Sequence, residues 1–273
     1  MVRKKIVKPG IHVGTSGWHY AHWRGTFYPE KLSTTKWLDY YLERFGSVEL
    51  NNSFYRLPSA ETFAAWAARV PKPFVFAVKA SRFITHMKKL NLDRAGLEKF
   101  FSAVAGLGSH LGPILFQLPP HWKLNLERLE HFLNELPPEH RYAFELRDPS
   151  WLVPEVMALF ESHKIAFCIY ELAGFTTPLH VTADLVYVRL HGPGDKYAGD
   201  YDRASLERWA QRGLAWQAEG REVHFYFDND QRGYAAHNAD LLAELVGLRP
   251  AAPRAEVEPN HDNSDRRTNW AGT

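Results

Sequence analysis

Thr34-Thr35-Lys36-Trp37-Leu38-Asp39-Tyr40-Tyr41-Leu42-Glu43-Arg44-Phe45-Gly46-Ser47-Val48-Glu49-Leu50-Asn51-Asn52-Ser53-Phe54-Tyr55 changes its period half-way along. Up to Phe45 the residues Trp37, Leu38, Tyr41, Leu42 and Phe45 recur every three or four positions, which places them on one helical face able to cover a sheet. From Ser47 the run is short and mostly apolar, the pattern of a buried parallel strand. The same alternation extends along the chain in both directions. Strand candidates lie at 11–18, 47–55, 74–81, 111–119, 142–147, 165–171, 185–192 and 222–229. Helical stretches lie at 34–45, 59–70, 93–107, 125–136, 153–163, 202–219 and 236–246. Eight strands alternating with helices predict an α/β fold, a single (β/α)8 TIM-type barrel over 11–248. The sixth crossover, 173–184, is irregular: Gly174, Thr176, Thr177 and Pro178 make a poor helix, and a loop is expected.

A barrel of this type takes about 250 residues. The 273 residues therefore leave a basic N-terminal extension at 1–10, a tail at 249–273, and no second domain. The tail mixes Pro250, Pro253 and Pro259 with small and charged residues without a hydrophobic period, so it is expected to be flexible. No apolar run approaches the roughly 20 residues of a membrane span, and the basic start is followed by no apolar region of a signal peptide. The single cysteine, Cys168, excludes an intramolecular disulfide and reads as a small buried hydrophobe. These features suit a reducing cytoplasm and no membrane. A net charge of +2 is too small to imply a nucleic-acid partner by itself.

Side-chain parity locates the chemistry, because residues two apart on a strand share a face. Glu49 pairs in this way with Asn51, Ala77 with Lys79, Leu115 with Gln117, Glu145 with Arg147, and Arg189 with His191. In a barrel, the C-terminal strand ends carry the working groups, and all of these polar residues fall there. Buried charges require partners or a ligand. Glu49 and Glu145 could therefore serve as paired catalytic carboxylates with Lys79 and His191, or could join Lys79, Arg147 and Arg189 in a self-compensating ion network. Aromatic residues crowd the same end: Trp18, His19, Tyr20, His22, Trp23 and Tyr28, then Phe54 and Tyr55, then Trp122 and Trp151. Core packing accounts for many of them. Trp18 and Tyr55, with Asn52 beside them, are the candidates for contacting a sugar ring, a nucleobase or an aromatic acid.

The seventh strand leads into His191-Gly192-Pro193-Gly194-Asp195-Lys196-Tyr197-Ala198-Gly199, and the eighth into Asp228-Asn229-Asp230-Gln231-Arg232-Gly233. Loops seven and eight often hold phosphate in such barrels. Here Arg189, Lys196 or Arg232 could neutralise an anion, although the glycines equally suit tight turns. Asn229 is a further candidate ligand contact. The basic run from Lys79 to Lys89 could steer an acidic ligand to the mouth.

Taken in order, Gly14-Thr15-Ser16-Gly17-Trp18 with Phe27-Tyr28-Pro29, Val48-Glu49, Asn52-Ser53-Phe54-Tyr55-Arg56, Lys79 with Ile84-Thr85-His86, Gln117-Leu118-Pro119-Pro120, Glu145-Leu146-Arg147 with Ser150-Trp151, Tyr187-Val188-Arg189-Leu190-His191-Gly192 and Tyr226-Phe227-Asp228-Asn229-Asp230 resemble the domain-of-unknown-function 72, or YecE-like, family. The resemblance covers nearly the whole barrel and implies a (β/α) barrel without a settled reaction. Asp228 departs from it, standing first where the family's pattern reads Asn-Asn-Asp. Three functional classes follow. The first is binding of a small anionic or phosphorylated ligand at the mouth, with hydrolase or lyase chemistry on a phosphoester or sugar phosphate. The second is nucleic-acid binding, by fold-level analogy to endonuclease-type barrels. The third is a protein-interaction scaffold with an unspecified partner. No cofactor is expected. Glu49, Glu145, His191 and Asp228 stand among too many cations for a multi-metal centre, which leaves one Mg²⁺ or Mn²⁺ as the most the mouth would take.

Overall fold

The computed structural model describes residues 10–195 and 197–248. The remainder of the predicted extension, Lys196 and the 249–273 tail lie outside the described residues. The strands are β1 (Ile11–Thr15), β2 (Ser47–Leu50), β3 (Val75–Lys79), β4 (Leu111–Gln117), β5 (Tyr142–Glu145), β6 (Ala166–Leu172), β7 (Leu185–Leu190) and β8 (Glu222–Phe227). All pair in parallel in the order β1-β8-β7-β6-β5-β4-β3-β2. The ends of this path meet at an isolated parallel bridge between Ser16 and Glu49, which nearly closes the barrel. Gly14 makes that seam possible, because a Cβ there would lie 2.1 Å from the Ser47 carbonyl oxygen.

The helices α1 (Trp37–Leu42), α2 (Ala60–Ala67), α3 (Arg94–Val104), α4 (Leu126–Glu135), α5 (Pro154–Ser162) and α6 (Arg203–Ala218) lie between the strands, and α7 (Tyr234–Leu245) follows β8. Four of them start at a polar cap whose side chain accepts a backbone N–H of the first turn: Ser59 from Thr62, Asp93 from Gly96, Asn125 from Arg128 and Asp202 from Ser205. Each such cap stabilises its helix by about 1 kcal/mol. The apolar faces pack against the outside of the strands in one large core, to which α1 contributes Trp37, Leu38 and Tyr41. Inside the barrel a smaller cluster of Ala77, Leu115, Ala143, Cys168, Leu185, Tyr187 and Tyr226 fills the centre. Cys168 is there as a buried, unpaired thiol.

Two differences from the sequence pattern have local causes. The expected 47–55 strand stops at Leu50, and Asn52–Tyr55 forms one helical turn. Ser53 Oγ reaches both the Leu50 and Lys79 carbonyl oxygens, at 2.9 and 2.7 Å, and turns the chain away from the sheet. The sixth crossover has no helix: Phe175–Thr176 pairs antiparallel with the end of β6 instead. Among the described residues no helix is long and apolar enough to cross a membrane.

Candidate functional site

Parity carries the inward side chains of each strand up to the C-terminal mouth, and there they converge on Arg189. Its Nη2 donates to Glu49 Oε1 at 2.8 Å and to Asp228 Oδ2 at 3.1 Å, and its Nη1 to Glu145 Oε2 at 2.7 Å. Longer contacts run to Gln117 Oε1 and Ser16 Oγ, at 3.5 and 3.4 Å. Glu49 is further saturated by Ser16 Oγ at 2.7 Å and Tyr187 Oη at 2.6 Å. Glu145 accepts from Arg147 Nε. Both glutamates are fully buried and form the floor of the cup rather than its rim.

His191 is equally buried. Its Nδ1 lies 3.0 Å from Asp228 Oδ2, and its Nε2 faces Arg147 Nη2 at 2.9 Å. Arginine can only donate, so Nε2 accepts and Nδ1–H donates to the carboxylate. Arg147 completes its surroundings by stacking on Tyr170, with its guanidinium carbon 4.8 Å from the ring centroid. Burial alone would raise the Glu145 carboxyl, but Arg147, Arg189 and His191 overcome it and hold that group well below its ordinary 4.5. Asp228 behaves similarly: burial opposes ionisation, and Arg189 and His191 prevail, so its carboxyl lies below the ordinary 3.8.

Lys79 stands apart. Its Nζ sits 4.4 Å from the Phe54 ring centroid, only 9 % of the residue is exposed, and among the described residues no carboxylate comes within ion-pair distance of it. Burial, reinforced by Arg189 and only partly offset by Asp228, Glu145 and Glu49, brings its amine from the ordinary 10.5 down to about 8. Beside it, His86 is held near 4 by burial and by the charges of Lys79 and Arg82.

Phe54 meets Tyr55 edge to face, and Tyr55, 75 % exposed, stands at the rim of a cavity of about 570 Å³. Trp18, Tyr20, Asn51, Asn52 and Trp66 line it. Asn51 Oδ1 is buried there without a hydrogen-bond partner. Tyr20 joins this cleft to the cup, since its hydroxyl donates to the Ser16 carbonyl and its own ionisation is suppressed by burial, Asp228 and Asp230. The cleft, with Trp18, Asn51, Asn52 and Tyr55, thus lies beside the cup, with Glu49, Lys79, Gln117, Glu145, Arg147, Arg189 and His191, the two joined through Tyr20 and through the Lys79–Phe54–Tyr55 contacts.

Asn229 is brought to neither. Its Nδ2 donates outward to the Gly199 carbonyl and to Asn238 Oδ1, both at 2.8 Å, which ties the loops after β7 and β8 to α7. The glycine loop also serves its own packing: at Gly192 (φ +113°) an added Cβ would lie 2.1 Å from the Ala198 carbonyl oxygen. The sequence pattern singles out neither Ser16, Tyr187 nor Asp230, and Asp228 stands out there only as a metal-ligand candidate and a departure from the family pattern. Ser16 shares a face with Trp18 and Tyr187 with Arg189, so parity could have found these two. Asp230 carries no such signal. It accepts from Trp23 Nε1 and lies 3.0 Å from His22 Nε2, and burial lifts its carboxyl to about 6.

The family model described as "Protein of unknown function DUF72" matches residues 12–263. UPF0759 protein YunF of Bacillus subtilis is 24% identical over 87% of this chain and 95% of its own length. UPF0759 protein YecE of Escherichia coli is 29% identical over 52% of this chain and 50% of its own length. A DUF72 family protein from Thermotoga maritima superposes with a TM-score of 0.79 at 28% identity, covering 86% of this chain and 98% of that one. One from Enterococcus faecalis, at 21% identity, shows the same fold with a TM-score of 0.74 over 90% of this chain and 99% of that one. The barrel, the ordered blocks around its mouth and the length of the match agree, and the chain belongs to the DUF72 family.

Proposed function

We propose that the mouth binds a small anionic ligand, a phosphorylated or carboxylated metabolite, with its charge on Lys79 and its flat part against Trp18 and Tyr55. The observation that carries this reading is the buried ammonium of Lys79. Arg189 and Arg147 have carboxylates on them, whereas Lys79 has only a ring face. A buried cation without a counter-charge costs several kcal/mol, and an incoming anion removes that cost. The exposed Arg82 nearby adds to the attraction.

In this reading Glu49 and Glu145 position Arg189 and do not touch the ligand. Acid–base work falls to Asp228 and Asp230, whose surroundings push their carboxyls apart, one below the ordinary value and one up to about 6. Such a split pair suits proton transfer in a hydrolase- or lyase-type reaction on a phosphoester or sugar phosphate.

The test is calorimetric titration of inorganic phosphate, ribose 5-phosphate and a short single-stranded oligonucleotide into the wild type and Lys79→Met at two salt concentrations. The small phosphates are expected to bind the wild type and to bind the variant at least tenfold more weakly. Preferential oligonucleotide binding with a steep salt slope would move the function to nucleic acid. No binding, or binding indifferent to Lys79→Met, overturns the proposal.

A further inference from the structure

The inward face of β8 does not carry polar residues only at its top. Glu222, His224, Tyr226 and Asp228 all share it, and at the opposite, N-terminal end Glu222 and His224 meet His12 of β1, whose Cα is the direct register partner of His224. Glu222 Oε1 lies 2.8 Å from His224 Nε2 and 3.6 Å from His12 Nε2. The three ligand atoms fall within 4.8 Å of one another. The other oxygen of Glu222 is held by Arg141 Nη1 at 2.7 Å, which leaves Oε1 turned toward the two rings. The imidazoles stack with centroids 4.4 Å apart and planes inclined by 21°. His12 also lines a cleft of about 400 Å³, with Gly46, Pro73 and Phe74 among its walls, which provides a path in from solvent.

We propose that His12 Nε2, Glu222 Oε1 and His224 Nε2 bind one divalent cation of the zinc class, which clips β1 to β8 at the N-terminal end of the barrel. Two imidazoles and one carboxylate suit zinc, cobalt or nickel far better than magnesium or calcium. Ligand bonds of about 2.0–2.1 Å require the stacked rings to fan apart, and His12, on the edge of the cleft, has room to turn.

The hydrogen bonds behind His224 can accommodate the ion. Without it, a proton on His224 Nε2 bridges to Glu222. With it, that proton must move to Nδ1, which faces Tyr226 Oη at 3.0 Å. Tyr226 then donates to Ser47 Oγ, 2.6 Å away, and Ser47 to the Val75 carbonyl at 3.0 Å. Every link already stands at hydrogen-bonding distance, so the chain can reverse its direction without leaving a buried group unpaired. Such outer partners fix the tautomer and orientation of a ligating histidine. The role is structural, since the N-terminal face of a barrel of this kind serves stability rather than catalysis.

The experiment uses the full chain without a histidine tag, stripped with chelator and dialysed. Zn²⁺ is titrated by calorimetry and Co²⁺ by visible absorption, and melting is followed with and without Zn²⁺. The expected result is about one ion per chain, a Co²⁺ d–d band, and a melting temperature raised by about 5 °C or more at saturating metal. His12→Asn and Glu222→Gln, both partly exposed and so able to fold, should each weaken binding at least tenfold and abolish the melting shift. His180→Asn, which removes a histidine from a surface pair with Glu161, should leave both unchanged. Absence of stoichiometric binding at 100 µM Zn²⁺ (roughly the limit for a useful site), or binding that survives both ligand variants, overturns the proposal.

Discussion

At the scale of single residues, Lys79 concentrates the tension between stability and function. Its amine titrates near 8 in the fold against an ordinary 10.5, so the folded state binds that proton less tightly than the unfolded chain does. The resulting penalty is fully present below about pH 8, shrinks as pH rises toward 10.5 and vanishes above it, and amounts to about 3 kcal/mol. Lys79→Met is therefore expected to stabilise the protein at pH 7, raising its melting temperature by several degrees, while weakening anion binding. Melting curves of both proteins from pH 7 to 10.5 check this, and a variant less stable than the wild type at pH 7 would contradict it. Bound anion should hold the Lys79 proton, so affinity for phosphate is expected to fall as pH rises through about 8. Parity alone pointed to Lys79, Glu49, Glu145, Arg147, Arg189 and His191 as one constellation. It could not say which cation takes which carboxylate, because that depends on side-chain reach across the barrel. Asn229, expected as a ligand contact, lies on the face opposite Asp228, and the structure ties it to Gly199 and Asn238 instead.

At the scale of elements, the seam between β1 and β2 is the weak join of the barrel. It has one bridge where other neighbours have ladders, and the Tyr41 hydroxyl reinforces it by accepting from Thr15 N–H and donating to the Ser47 carbonyl, both at 3.0 Å. Gly14→Ala would place a methyl 2.1 Å from that carbonyl oxygen, and backbone on both strands would have to move. A loss of about 2–3 kcal/mol is expected, read as a lower urea midpoint. Gly46→Ala, next to Ser47 in the chain and with nothing within 4 Å of an added Cβ, should stay within about 0.5 kcal/mol. Equal effects at the two positions would show that the seam is not tightly packed. The strand–helix alternation was legible because the period changes at each boundary, and the poor sixth helix was legible from Gly174 and Pro178. The early end of β2 was not, since it depends on Ser53 reaching the carbonyl of a strand 26 residues away.

At the scale of the whole molecule, Arg189 ties the top of the barrel together. From β7 it reaches Ser16 after β1, Glu49 of β2, Gln117 of β4, Glu145 of β5 and Asp228 after β8. Arg189→Met removes one charge from between two fully buried carboxylates, Glu49 and Glu145, and a mostly buried third, Asp228, and such a break in a buried network costs about 3–5 kcal/mol. The cost depends on pH with a definite sign. In the wild type, Glu145 and Asp228 titrate below their ordinary 4.5 and 3.8. The stability they contribute is therefore complete above those values and is lost as pH falls through the lower folded ones. In the variant the same carboxyls lack the guanidinium, protonate more readily, and are relieved by the acid that harms the wild type. Urea midpoints at pH 7, 5 and 3.5 should thus show a large deficit for Arg189→Met at neutrality that narrows toward pH 3.5. A deficit of constant size would mean that Arg189 acts through packing, and wild-type stability at pH 7 in the variant would mean that the charges at the mouth are solvated and the cup is not a closed network.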